Sequence, residues 1–239
     1  IGCHRTLVIR HGEKAAGLAL LPPLATIGYY LLPPHWQSQL VVQCVPQLIA
    51  YLALGFWAFQ NVDRRSKLGL ESEKFRAGLG WGAVTGMILG CVNTAVILSL
   101  VPAFGEDIDF LRHTPHAHIP VWIMVPWFIL MIAMAVELNF RGFLLGRLLA
   151  LFSPIRNTIG ASSPHRLLLA TIFPLGISAL TFSFDPFMVS TFRHLHWIAV
   201  WDGFIWGWMW IRMHNFYAVI TGHAIEVIIV YLLVREALA

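Results

Sequence analysis

The stretch Val136-Glu137-Leu138-Asn139-Phe140-Arg141-Gly142 lies inside an apolar run covering about residues 120–151. It places a carboxylate and a guanidinium four residues apart. On a helix, positions i and i+4 share a face, so the two can form their own salt bridge. An ionisable pair buried in hydrocarbon is costly, and it marks either a functional site or an ion pair that fixes helix packing.

The rest of the chain has the same character. Of its 239 residues, 58% are hydrophobic and 12% charged, and the mean hydropathy is +0.71. A soluble domain would carry about 25% charged residues. Apolar runs long enough to cross a bilayer recur at about 16–33, 39–59, 78–102, 120–151, 167–184, 196–212 and 216–234. The expectation is an all-α, polytopic transmembrane bundle of about seven spans in one domain over 1–239. The fourth run is too long for one perpendicular crossing, so it is tilted, broken or extended beyond the bilayer. Pro22, Pro23, Pro46, Pro126 and Pro174 fall inside these runs. Neighbouring helices can re-satisfy the carbonyls they free.

Basic residues set the expected orientation. If the spans alternate, Arg5, Arg10, Lys14, Arg64, Arg65, Lys67, Lys74, Arg76, Arg141, Arg147, Arg156, Arg166 and Arg212 fall on one side. Arg112, Arg193 and Arg235 fall on the other. The amino terminus is therefore expected in the cytoplasm. Anionic headgroups suffice to explain the net charge of +4, and no nucleic acid is needed. The chain opens on Ile1 rather than Met, so it is expected to be trimmed, processed or incompletely observed, and residues 1–14 are too polar for a signal peptide's apolar region. Cys3, Cys44 and Cys91 form neither a disulfide framework nor a metal-ligand spacing.

Other polar groups lie at similar depth. Thr221-Gly222-His223-Ala224-Ile225-Glu226-Val227 sits in the last apolar run, with His223 and Glu226 three apart on nearly one face. A buried imidazole serves as a general base, a metal ligand or a helix-to-helix hydrogen bond. Asp202, followed by Gly203, is a further carboxylate in the sixth run. Such groups are hard to bury separately, so a shared polar cavity is expected.

This arrangement resembles the CPBP family of intramembrane CAAX proteases and bacteriocin-processing proteins, also called Abi. The family's first motif is a Glu-Glu pair, three residues and Arg, commonly within Phe-Arg-Gly. Its second is Phe-x-x-x-His and its third His-x-x-x-Asn or Asp. Glu137 through Leu145 looks like the second half of the first motif. Gly203-Phe204-Ile205-Trp206-Gly207 and then Tyr217 through His223 look like the approach to the third. The resemblance covers about 120–234, which it implies is a CPBP-like core, and leaves the first two spans untouched.

The departures bear on activity. Val136 stands where the family has its first Glu, the residue assigned to activating water with the second-motif His. The second motif falls at Leu180-Thr181-Phe182-Ser183-Phe184-Asp185-Pro186, with Asp185 or Pro186 in the place of His. Val227 replaces the third motif's Asn or Asp. Peptide hydrolysis needs a base for water and donors for the oxyanion, and valine is neither. The resemblance therefore implies a degenerate protease acting as scaffold, assembly factor or accessory subunit of a membrane complex, with other membrane subunits as partners.

The alternative is an active intramembrane endopeptidase for hydrophobic or lipidated peptides, with a site rebuilt from Glu137, Arg141, His223 and Glu226. Phe192-Arg193-His194-Leu195-His196 matches the second motif literally but lies about a span too late. His113, His116 and His118 are read as part of a solvated loop rather than a metal site. Trp197, Trp201, Trp206, Trp208 and Trp210 crowd the sixth run as a packing or partner surface. A sharper reading is a flat aromatic pigment, with His194, His196 or His214 as axial ligands. No metal is expected, and no particular cofactor is implied. The polar groups trace no path across the membrane of the kind a transporter needs.

Overall fold

The structure is a computed structural model that describes residues 13–157 and 168–239. Cys3, Arg5, Arg10 and Arg166 lie outside the described residues. Among those described there are helices and no strand. This is the all-α bundle expected from hydropathy, because in lipid each backbone N–H and C=O must be met within its own segment.

All seven apolar runs are helical where described. A 3-10 turn, Ala16–Leu20, leads into α1 (Leu21–Tyr30), and α2 is Leu40–Gln60. α3 (Phe75–Ala95) continues through a π turn, Val96–Leu100, into Val101–Ala103. α4 covers Val121–Ser153. α5 is Phe173–Ser183, α6 is Ile198–Met213 and α7 is Phe216–Leu238.

Length separates these helices into two kinds. By length and composition, four helical stretches among the described residues can cross a membrane: Leu40–Gln60, Arg64–Ala103, Val121–Ser153 and Phe216–Leu238. A fifth arises if Ala170–Ser183 and Pro186–Met213, bent by 53° at their junction, make one broken span. Several apolar helices can thus span a bilayer, as in an integral membrane protein. Of the seven runs, α1 has 10 residues, α5 has 11 and α6 has 16, each short of a bilayer's width by itself, so four or five stretches among the described residues are long enough to cross.

The long fourth run is one helix with two π segments, Met124–Ile129 around Pro126 and Leu138–Leu145 immediately after Glu137. Proline lacks the N–H of the regular ladder, and wider winding accommodates it. The second π segment carries Asn139 and Arg141, both buried.

The closest helix pair is α3 against α7. Glycines at 78, 82, 86 and 90 present one bare face of α3 to α7. A Cβ at Gly82 would stand 2.5 Å from the Ala218 carbonyl oxygen, and one at Gly86 2.4 Å from that of Gly222. The backbones touch, as small-residue stripes allow where lipid offers no hydrophobic drive for helix association. α6 closes the bundle by burying Trp206 and Trp210 against Leu89, Leu145, Leu175, Phe216 and Val219.

The turn between α6 and α7 is fixed by His214, in the left-handed region at φ 43°. Its Nε2 lies 3.0 Å from the Ser66 carbonyl, Lys74 Nζ donates to its own carbonyl at 2.9 Å, and Nδ1 is buried without a partner. The ring is therefore neutral, donating through Nε2.

Gly86→Val is expected to lower stability by about 1–3 kcal/mol in detergent unfolding. Gly80→Ala, whose Cβ meets nothing within 4 Å, serves as the silent control. Burial, then the Lys74 charge, pulls the His214 pKa below its ordinary 6.5. The unfolded chain therefore takes up a proton that the folded ring refuses, so His214's contribution is present above about pH 6.5 and lost as pH falls. His214→Asn, which tolerates the left-handed region, is expected to flatten the acid limb of a Tm-against-pH curve.

Candidate functional site

Glu137 is 0% exposed, and Arg141 beside it is equally enclosed. The Arg141 guanidinium donates from Nη1 to Glu137 Oε1 at 3.0 Å, the i,i+4 pair that the spacing predicts. The same Oε1 lies 2.6 Å from His223 Nδ1 on α7. A carboxylate at that distance fixes the imidazole with its proton on Nδ1. Arg141 also packs over the Phe182 ring of α5, 4.5 Å from its centroid. Glu137 Oε2, Arg141 Nη2 and Asn139 Oδ1 are buried without hydrogen-bond partners.

A second cluster lies on the neighbouring helices. Asn93 of α3 donates from Nδ2 to Glu226 Oε1 at 2.6 Å and to Asp202 Oδ1 and Oδ2 at 3.1 and 3.2 Å. Trp201 Nε1 donates back to Asn93 Oδ1 at 2.9 Å, and Trp206 Nε1 donates to Glu226 Oε2 at 3.1 Å. One amide thus bridges carboxyls from α6 and α7. All three side chains are buried.

Both clusters border a cavity of about 670 Å³ with mostly apolar walls. His223, Asp202, Glu226 and Asn93 line it, and so does Val136. Glu137 does not. Position 136 therefore faces the cavity, while the carboxylate at 137 is turned into protein and held there by two donors.

The polar groups named from sequence do meet, but as two clusters. Glu137, Arg141 and His223 form one, and Asp202 and Glu226 the other. His223 and Glu226 share the cavity wall without a hydrogen bond between them. Asn93, which joins the second cluster, was not among the expected residues. Its signal was a lone amide in an apolar helix, the kind of residue that needs a partner in lipid.

Asp185, which with Pro186 falls where the resemblance would put a second-motif His, caps the short helix Pro186–Phe192. Its Oδ1 accepts from the Phe187 and Met188 amides and from Gln47 Nε2. His196, from the literal match, borders the cavity and has Nδ1 2.5 Å from the Arg193 carbonyl. His194 packs edge-on against Phe110 and lies 3.8 Å from Glu106. His116 stacks on Phe192. Among the described residues, no three His, Cys, Asp or Glu side chains converge as metal ligands.

The tryptophans divide in a way the sequence did not reveal. Trp206 and Trp210 are core, Trp201 is tied to Asn93, and Trp208 is 41% exposed. The outer surface of α6 is thus narrower than five tryptophans imply.

No protein-family profile matches the chain, and neither does any curated protein or solved structure.

Removing one partner from a buried ion pair strands the other charge, typically at about 3–5 kcal/mol. Glu137→Leu is expected to destabilise the protein by that amount in detergent unfolding. Glu137→Leu combined with Arg141→Met is expected to recover part of the loss, because no guanidinium is then left uncompensated.

Proposed function

We propose that this chain is a catalytically silent, CPBP-like integral membrane protein. In this reading it serves as a scaffold, assembly factor or accessory subunit of a membrane complex, with its amino terminus in the cytoplasm. The observation that carries it is the commitment of Glu137. A general base must reach the water it deprotonates. Glu137 is sealed from the cavity, and one of its oxygens already accepts from Arg141 and His223. The adjacent position that does reach the cavity is Val136, which can neither take a proton nor hold one.

On this reading Glu137, Arg141 and His223 are tension members between α4 and α7. The docking surface for companion subunits is the outer face of α6, where Phe204 and Trp208 are exposed. The orientation rests on the basic residues that fall on one side when all seven apolar runs cross in alternation.

One observation favours the second reading, an intramembrane endopeptidase with a rebuilt site. Asp202 and Glu226 line the same cavity as His223, so carboxyls and an imidazole share one space. Two neighbouring carboxyls can divide acid and base roles.

The readings separate on the purified protein in nanodiscs, offered hydrophobic and lipidated reporter peptides. The scaffold reading expects no cleavage above background, and it expects Glu137→Gln and His223→Ala to lower Tm. It also expects Phe204→Ala/Trp208→Ala to reduce a stoichiometric companion chain retained through purification from native membranes, at unchanged Tm. Cleavage abolished by either Glu137→Gln or His223→Ala would overturn it in favour of the peptidase.

A further inference from the structure

The cavity is long, and its two ends differ. His223, Val227, Val230, Val234 and Leu238 line it from one face of α7, at the spacing of successive helical turns. Between His223 and Arg235 that face runs about 18 Å along the helix. Ile129, Ala133, Val136 and Phe140 of α4 also line it, so most of the wall is apolar. The cavity also reaches the outer surface of the bundle. Tyr51 of α2 and Ile132 of α4 border it and are 37% and 40% exposed, both inside stretches long enough to cross a membrane. A hydrocarbon chain in the bilayer thus has a way in from the side, and about 670 Å³ is volume enough for one small molecule.

Charge divides along the same axis. Asp202, Glu226 and His223 lie toward one end, and Arg112, Thr114, His116 and Arg235 border the other. The acids are engaged within the protein, Asp202 and Glu226 by Asn93 and Trp206, and Asp185 as a helix cap. Arg112 and Arg235 are the only Lys or Arg on the wall among the described residues. Arg235 is held by its Nη1, which donates to the Ala117 and Ile119 carbonyls at 3.3 and 3.1 Å and to the Tyr231 hydroxyl at 2.5 Å. Its Nε and Nη2 have no hydrogen bond among the described residues. Arg112 has Nε 3.6 Å from Asp109 Oδ1, and its Nη atoms are likewise unbonded there. Glu106, Asp107 and Asp109 of the same loop do not line the cavity.

A guanidinium fixed through one nitrogen with its other donors unspent is suited to a carboxylate or phosphate oxygen. We infer that the cavity binds a single-chain lipid with an anionic head, its tail lying between α4 and α7 and its carboxylate or phosphate on Arg112 and Arg235. The length and apolar wall call for one hydrocarbon chain, and the two cations at one end set its direction. This inference rests on the cavity alone and holds whether the protein is a scaffold or a peptidase.

The test compares four probes of equal chain length, hexadecanoate, hexadecyl phosphate, hexadecanol and hexadecylammonium, on the protein in zwitterionic nanodiscs at a pH where both acids are ionised. Binding is read by the shift in Tm and by competition against hexadecanoate carrying a diazirine at its tail end. At least one anion is expected to bind roughly tenfold more tightly than the alcohol, the tighter of the two naming the head, with the amine weakest. Arg112→Gln/Arg235→Gln is expected to bring the anions to the level of hexadecanol and leave hexadecanol unchanged. Arg193→Gln, an exposed cation that does not line the cavity, is expected to leave the order intact. Val136→Phe, which fills the wall, is expected to weaken all four. The diazirine tests tail placement in the wild type without any variant, and its label is expected on α4 and α7. Anions bound no more tightly than the alcohol, a preference that survives the double arginine variant, or label confined to the outer face of α6 would overturn the inference.

Discussion

A carboxylate that cannot reach water must have its charge answered by the protein, and Glu137 meets that demand with a single oxygen. Arg141, one turn along its own helix, supplies the first donor. His223, from the last helix, supplies the second. The first contact is local and comes with helical spacing. The second exists only if α7 is brought against α4 at one register, so the pair acts as a gauge of correct assembly. Releasing His223 would leave the carboxylate with Arg141 as its one donor in a place without solvent.

That register is set elsewhere, by the glycine face of α3. With backbones in contact at Gly82 and Gly86, α7 has no freedom to slide without driving a carbonyl into a neighbouring Cα. The same contact carries Asn93 to the level of Glu226, where Trp201 and Asp202 of α6 complete the bridge. Steric exclusion therefore positions the polar groups, and the polar groups then penalise any other packing. A network of this kind specifies one arrangement more than it adds stability, because each member has lost its water.

How much of this was legible beforehand differs by element. The helical segments followed from hydropathy, and the Glu137–Arg141 contact from a spacing of four. The helix lengths did not follow, because α1, α5 and α6 are apolar enough for lipid yet each is too short to traverse it alone. Hydropathy registers the first property more readily than the second. Asn93 went unnoticed although the glycines at 78, 82, 86 and 90 mark out the close face of its helix. An amide carries no charge to draw attention, and its value lies in two carboxyls that are remote in sequence. The tryptophans of α6 left packing and surface readings both open for the converse reason. An indole is apolar enough for either core or lipid, and only the fold assigns Trp206 to one and Trp208 to the other.

The two polar clusters answer the same constraint in opposite ways. Around Glu137 acceptor and donor charges cancel within the protein, and the result is a closed knot with no access to the cavity. Around Asn93 the donors are neutral N–H groups and the carboxyls of Asp202 and Glu226 also bond each other, on a wall that faces the cavity. Val136 lies on that same wall. Had a carboxylate stood there, the cavity would hold yet another acid beside His223, and the imidazole would be shared between two oxygens. With valine in its place, His223 keeps one partner behind it and one unpaired nitrogen in front.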